Sequence, residues 1–123
     1  MINKTVRHYD RWMVIKINPS YCLETSPEDF SKAIKKITRK SKKKDPGFFE
    51  ITYLMGQMTC RGLDDTVIIP ARGDWITPVR ISAVALKKLA NSLPEQGSIR
   101  LGYSEDRFYI DNFSIQGFAI TAR

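Results

Sequence analysis

The stretch Ser26-Pro27-Glu28-Asp29-Phe30-Ser31-Lys32-Ala33-Ile34-Lys35-Lys36-Ile37-Thr38-Arg39-Lys40 sets the reading of the whole chain. Ser26 is placed to cap a helix, Pro27 fits its first turn, and Glu28 and Asp29 sit near the positive end of the helix dipole. Phe30, Ala33, Ile34 and Ile37 recur at helical spacing and fall in one narrow arc at about 100° per residue. Lys32, Lys35, Lys36, Arg39, Lys40 and Lys43 fall on the opposite side. Asp45-Pro46-Gly47 closes the segment. The pattern predicts an amphipathic helix with an apolar face against a core and a lysine-rich face turned outward.

Working outward, residues 12–17 (Trp-Met-Val-Ile-Lys-Ile) read as a strand stopped by Asn18-Pro19. Residues 48–55 alternate, with Phe49, Ile51, Tyr53 and Met55 on one side and Glu50 and Thr52 on the other, which predicts a half-buried strand. Gly56-Gln57 reads as a turn into a strand over residues 58–61. Leu63-Asp64-Asp65 reads as a second turn, and residues 66–71 as a third strand followed by an Arg72-Gly73-Asp74 loop. Residues 78–81 are strand-like, and Ser82 caps a second helix. That helix turns Leu86, Leu89, Ala90 and Leu93 inward and Lys87, Lys88 and Asn91 outward, and Pro94-Glu95-Gln96-Gly97 ends it. Residues 98–103 alternate with Ile99, Leu101 and Tyr103 inward. Ser104-Glu105-Asp106 turns into residues 107–111, and a last strand lies within residues 113–120.

The element order repeats: strand, helix, three strands, then the same again. Ala33-Ile34-Lys35-Lys36-Ile37 mirrors Ala85-Leu86-Lys87-Lys88-Leu89. Val14-Ile15-Lys16-Ile17 precedes the first helix as Pro78-Val79-Arg80-Ile81 precedes the second. The expected fold class is α+β: an antiparallel sheet with two helices on one face, built from a pseudo-duplicated β-α-β-β-β unit. At 123 residues the chain is expected to be one domain, with residues 1–11 a loose N-terminal segment and residues 41–47 a flexible basic loop.

Two such units, each with a helix whose lysines face away from the sheet, resemble one domain of a DNA sliding clamp, the polymerase processivity factor. The resemblance covers residues 12–120 and rests on topology and helix polarity. In that family six such domains close a ring, their helices line the central hole, and their lysines and arginines face the phosphates of duplex DNA. Sheets form the outside and pair edge to edge between domains. The resemblance implies a nucleic-acid-binding set of Lys32, Lys35, Lys36, Arg39, Lys40 and Lys43 from the first helix, joined by Lys87 and Lys88 from the second. A clamp subunit carries two or three domains where this chain carries one, so a ring would need six copies.

Charge supports the same surface. The chain holds 20 lysines and arginines against 13 acids, a net charge of +7. Eight basic residues and no acid lie in residues 32–44, while the remainder balances to −1. From Lys32 to Lys43 a helix would run about 16 Å, enough to meet several phosphates. Lysine clusters supply sequence-independent affinity through counterion release, whereas base readout calls for arginine, asparagine or glutamine in fixed geometry. Nucleic acid is therefore the expected partner, with DNA and RNA both open on charge alone and duplex DNA implied by the clamp resemblance; a homo-oligomer and a protein partner are further expectations. The rival reading is a protein-interaction or regulatory module that uses a sheet edge or an exposed aromatic patch. The C-terminal aromatics Tyr103, Phe108, Tyr109, Phe113 and Phe118 read mostly as core, with stacking on single-stranded bases as the lesser reading.

Other chemistry has weaker support. His8 is the single histidine, and Cys22 and Cys60 lack metal-ligand spacing, so they read as buried thiols. Asp64-Asp65 and Glu105-Asp106 sit where turns are expected. No phosphate-loop or dinucleotide glycine pattern occurs, and the expectation is a non-enzyme with neither cofactor nor metal. Two cysteines cannot build a disulfide framework, which points to a reducing, cytoplasmic compartment. On that ground the Arg72-Gly73-Asp74 tripeptide and the Asn3 and Asn112 glycosylation-like runs are set aside. No apolar run approaches the ~20 residues of a bilayer span, and the start lacks the apolar core of a secretory signal. A membrane partner is not expected.

Overall fold

The computed structural model describes residues 20–39, 47–111 and 113–120, with the backbone alone at Arg39. The strand read at residues 12–17, the loose segment at 1–11 and nearly all of the basic loop at 41–47 lie outside the described residues. Ten elements follow one another: β1 (Tyr21–Thr25), α1 (Pro27–Arg39), β2 (Phe48–Leu54), β3 (Gln57–Arg61), β4 (Thr66–Trp75), β5 (Val79–Ser82), α2 (Ala83–Leu89), β6 (Ile99–Ser104), β7 (Arg107–Ile110) and β8 (Phe113–Ala119). A short 3-10 turn, Ala90–Ser92, extends α2.

The sheet closes on itself in the order β1-β4-β3-β2-β5-β8-β7-β6, with β6 returning to β1, and every ladder is antiparallel. The expected antiparallel sheet with two helices on one face is thereby corrected to a closed barrel of eight strands. Closure depends on two strands that change partner half-way. In β4, residues 66–70 pair with β3 and residues 71–75 pair with β1. In β8, residues 113–116 pair with β7 and residues 117–119 pair with β5.

Arg72-Gly73-Asp74 is accordingly strand rather than loop. Gly73 lies at φ +132°, and a Cβ there would run into the Cys22 carbonyl oxygen. Glycine is what lets β4 approach β1 this closely while it switches partner. β1 lies in a stretch to which the sequence reading assigns no element. Tyr21-Cys22-Leu23-Glu24-Thr25 runs straight into α1 with only Ser26 between. Leu23 and Thr25 are buried on one face.

One continuous core fills the barrel and extends under the helices. It joins Phe30, Ala33, Ile34 and Ile37 of α1 and Leu86 of α2 to Phe49, Ile51, Met58, Leu23, Leu101 and Phe108 of the strands. The Phe30 and Phe49 rings meet edge to face at 5.8 Å. Ile99, Leu101 and Tyr103 face inward as their alternation predicts. Met55 does not. It is 88% exposed at the β2–β3 turn, with φ at +47°.

Candidate nucleic-acid interface

Helix α1 begins as its sequence dictates. The Ser26 Oγ accepts from the Asp29 amide at 3.2 Å, and the Ser26 carbonyl accepts from the Phe30 amide at 3.0 Å. The buried residues on its far side hold the helix by hydrophobic burial, at about 25 cal/mol per Å² of apolar surface. Thr38, which is also buried, donates its hydroxyl to the Ile34 carbonyl at 2.7 Å. That bond removes the cost of an unpaired hydroxyl in the core. With this face fixed, Lys32, Lys35 and Lys36 are exposed. Lys32 meets Glu28 at 3.3 Å, one turn back. The Arg39 side chain and Lys40 and Lys43 lie outside the described residues.

Helix α2 is capped in the same manner. The Ser82 Oγ accepts from the Ala85 amide at 3.2 Å, Leu86 is buried, and Lys87 and Lys88 are exposed. The two helices pack directly on each other. They run antiparallel. The first half of α1 (Pro27, Glu28, Ser31, Lys32, Lys35) and the end of α2 (Ala90, Asn91, Leu93 to Gln96) line opposite walls of one groove of about 630 Å³. At the other end the Ala83 amide, which opens α2, donates to the Gly47 carbonyl beyond α1. Lys35, Lys36, Lys87 and Lys88 form no ion pair among the described residues. Glu28, Ser31, Asn91 and Glu95 are groove residues that periodicity alone does not single out, because their meeting depends on the antiparallel packing.

The arginines of the sheet are arranged differently. Glu50 lies on the face of β2 opposite Phe49 and Ile51, and its carboxylate is held at 2.7 Å by Arg80 of β5 and at 3.1 Å by Arg61 of β3. Register puts the three side by side across neighbouring strands. Arg80 also lies over the Phe48 ring, 4.1 Å from its centroid. Burial alone would raise the Glu50 pKa. Hydrogen bonds from Arg80 and Arg61, together with their charges, outweigh burial and hold it below the usual carboxylate range. A looser group repeats the pattern on β1, where Glu24 accepts from Ser98 at 2.7 Å and from Arg72 at 2.9 Å. Those two bonds lower its pKa.

The remaining candidates resolve into packing. Burial pushes the Cys60 thiol up to about 12, and Cys22 is half-buried. Trp75 packs edge to face on Tyr21 and Phe108. Tyr103 and Phe108 are buried, whereas Phe113 and Phe118 are each 51% exposed. Glu105 and Asp106 form the β6–β7 turn, both at positive φ. Among the described residues, no group of three or more His, Cys, Asp or Glu could hold a metal ion. None of the described helices is long and apolar enough to cross a membrane.

The sequence matches no protein family and no curated protein. Solved structures do match. A DnaN sliding clamp (DNA polymerase III subunit beta) from Pseudomonas aeruginosa, bound to griselimycin, aligns with a TM-score of 0.66 over 81% of this chain, at 13% identity. This is a sliding-clamp-like fold. Caulobacter crescentus pol III beta gives a TM-score of 0.66 over 97% of this chain, again at 13% identity. A second C. crescentus beta sliding clamp structure, with PEG bound, gives 0.65 over 97% at 13% identity. The clamp-like chain spans about a third of their length, 31% of the first and 35% of the other two.

Proposed function

We propose that this clamp-like protein binds duplex DNA without sequence specificity and without catalysis, through Lys32, Lys35, Lys36, Arg39, Lys40 and Lys43 of the first helix and Lys87 and Lys88 of the second. The observation that carries the reading is the side-by-side packing of two helices whose exposed lysines include four without an ion pair among the described residues, on a sliding-clamp-like fold. The mechanism is electrostatic. Each lysine that reaches a phosphate releases a condensed counterion, and that release supplies affinity without base readout.

The test is a labelled DNA duplex titrated against the protein and against the variant Lys32→Glu/Lys36→Glu/Arg39→Glu/Lys43→Glu. The variant loses binding while its circular dichroism and melting curve stay those of the parent. Duplex affinity that survives the change places the contact elsewhere.

Assembly belongs to the same reading. Among the described residues, 66–70 of β4 and 113–116 of β8 each have a sheet neighbour on one side alone. Such edges are templates for strand addition, by a second copy or by another protein. The exposed side chains of Ile68 and Phe113 border them. These edges also support the rival reading as a protein-interaction module. Capture of a specific protein partner that persists after nuclease treatment favours that rival. A pseudo-duplicated origin is supported by strand order, which runs first-fourth-third-second in each half. Retention of the chain in a reducing cytoplasm is in keeping with its free thiols.

A further inference from the structure

The two helices carry their charges in opposite sequence order. In α1 acids come first (Glu28, Asp29) and lysines follow (Lys32, Lys35, Lys36). In the second helix and its exit the lysines come first (Lys87, Lys88) and the acid, Glu95, follows. Antiparallel packing cancels that inversion. Glu28 and Glu95 both line the groove at one end of the pair, where Lys32 is held by Glu28 at 3.3 Å. Lys35 lines the same groove as Ala90 and Asn91, and Lys87 and Lys88 precede those two residues by about one helical turn, away from Glu95.

We propose that the helix pair is electrically polarised along its length, so that within the basic set Lys32 is masked by the Glu28–Glu95 end and contributes least, while the lysines further along the pair carry the duplex. The proposal rests on the DNA-binding reading and assigns a determinant within it: Glu28 and Glu95 limit the footprint. Magnitudes favour two distinct ends. Glu28 and Lys36 are about 12 Å apart along the helix axis. The Debye length at physiological salt is about 8 Å, so the acids are largely screened from Lys36. At 3.3 Å, Glu28 is not screened from Lys32. Phosphates approaching Lys32 must displace a carboxylate already in place and pass a second one on the facing wall. A footprint confined to one end makes fewer contacts per domain, which weakens each contact set and favours movement along the duplex.

The experiment is a binding cycle on the full chain with a labelled DNA duplex across a salt series. Glu28→Gln/Glu95→Gln is expected to bind about threefold tighter at low salt, with a log–log salt slope steeper by about one as Lys32 gains a phosphate. Lys32→Ala costs less than twofold in the parent and as much as Lys36→Ala in the Glu28→Gln background. Both glutamates are exposed, and losing Glu28 from the first turn of α1 lowers the melting temperature by no more than a few degrees, which a melt checks. An unchanged affinity for the double glutamine variant, or a Lys32→Ala loss equal to that of Lys36→Ala in the parent, overturns the polarity while leaving DNA binding standing. Absence of duplex binding by the parent chain removes both.

Discussion

Arg61 and Arg80 on the sheet and Lys35 and Lys36 on α1 contribute the same positive charge, yet they serve different ends. The arginines converge on one carboxylate that is only 8% exposed, and both lie over the Phe48 ring. The lysines point into solvent with no carboxylate beside them among the described residues. Charge that is partly neutralised by a fixed carboxylate, here two arginines against one glutamate, contributes less attraction at a distance, and loss of that carboxylate is felt as lost stability. Charge left unpaired adds little to stability and remains available to a polyanion. The residue types follow the same division. Arginine forks suit a fixed carboxylate, and lysines are mobile point charges suited to a phosphate track of no fixed sequence.

Substitutions should separate the two regions. Glu50→Ala has the largest expected effect, a loss of roughly 2 kcal/mol in denaturant unfolding, below the full cost of a broken buried pair because both arginines can turn to water. Duplex affinity should not fall. A Glu50→Ala protein that is fully stable but loses DNA would invert the comparison. Next, Lys35→Ala/Lys36→Ala should weaken duplex binding about tenfold, roughly 1.4 kcal/mol, with an unchanged melt.

A pH series sharpens the same contrast with a smaller effect. The Glu50 pKa is lowered on folding, so its contribution is complete above the unfolded carboxylate value of about 4.3 and fades as pH falls through the folded value. Unfolding free energy should therefore drop on acidification below that point, and the drop should shrink in Glu50→Gln. Equal acid sensitivity of parent and variant would remove Glu50 from the account. Least affected should be Arg72→Ala. Its pair with Glu24 is largely exposed and should be worth less than about 1 kcal/mol by urea midpoint.

Much of this division was legible in the sequence, for identifiable reasons. Ser26-Pro27 and Ser82 marked helix starts by local capping chemistry, and the apolar arcs of α1 and α2 showed which lysines face outward. The hairpin at residues 105–106 was bounded by turn residues, while the one at 55–56 lies one position before the Gly56-Gln57 turn that the sequence suggested. Barrel closure was not legible, since it depends on β4 and β8 changing partner, which leaves no local signature beyond Gly73. Arg72-Gly73-Asp74 has loop composition, and only the approach of β1 explains it as strand. Tyr21-Cys22-Leu23-Glu24-Thr25 is too short, and too close to the helix cap, to stand out. Glu50 was placed on the polar face of β2, but its two arginines come from β3 and β5 and meet it through register. The groove acids Glu28 and Glu95 are 67 positions apart, and only the antiparallel packing brings them together.

The central claim is that the exposed helix lysines hold a duplex by its phosphates. The most direct measurement is the affinity of the parent chain for a labelled DNA duplex as salt is varied. With about five phosphates neutralised, log affinity should fall against log salt with a slope of roughly −4 to −5, and an unrelated duplex sequence should give the same line. A slope near zero, or an affinity that depends on base sequence, would contradict the account.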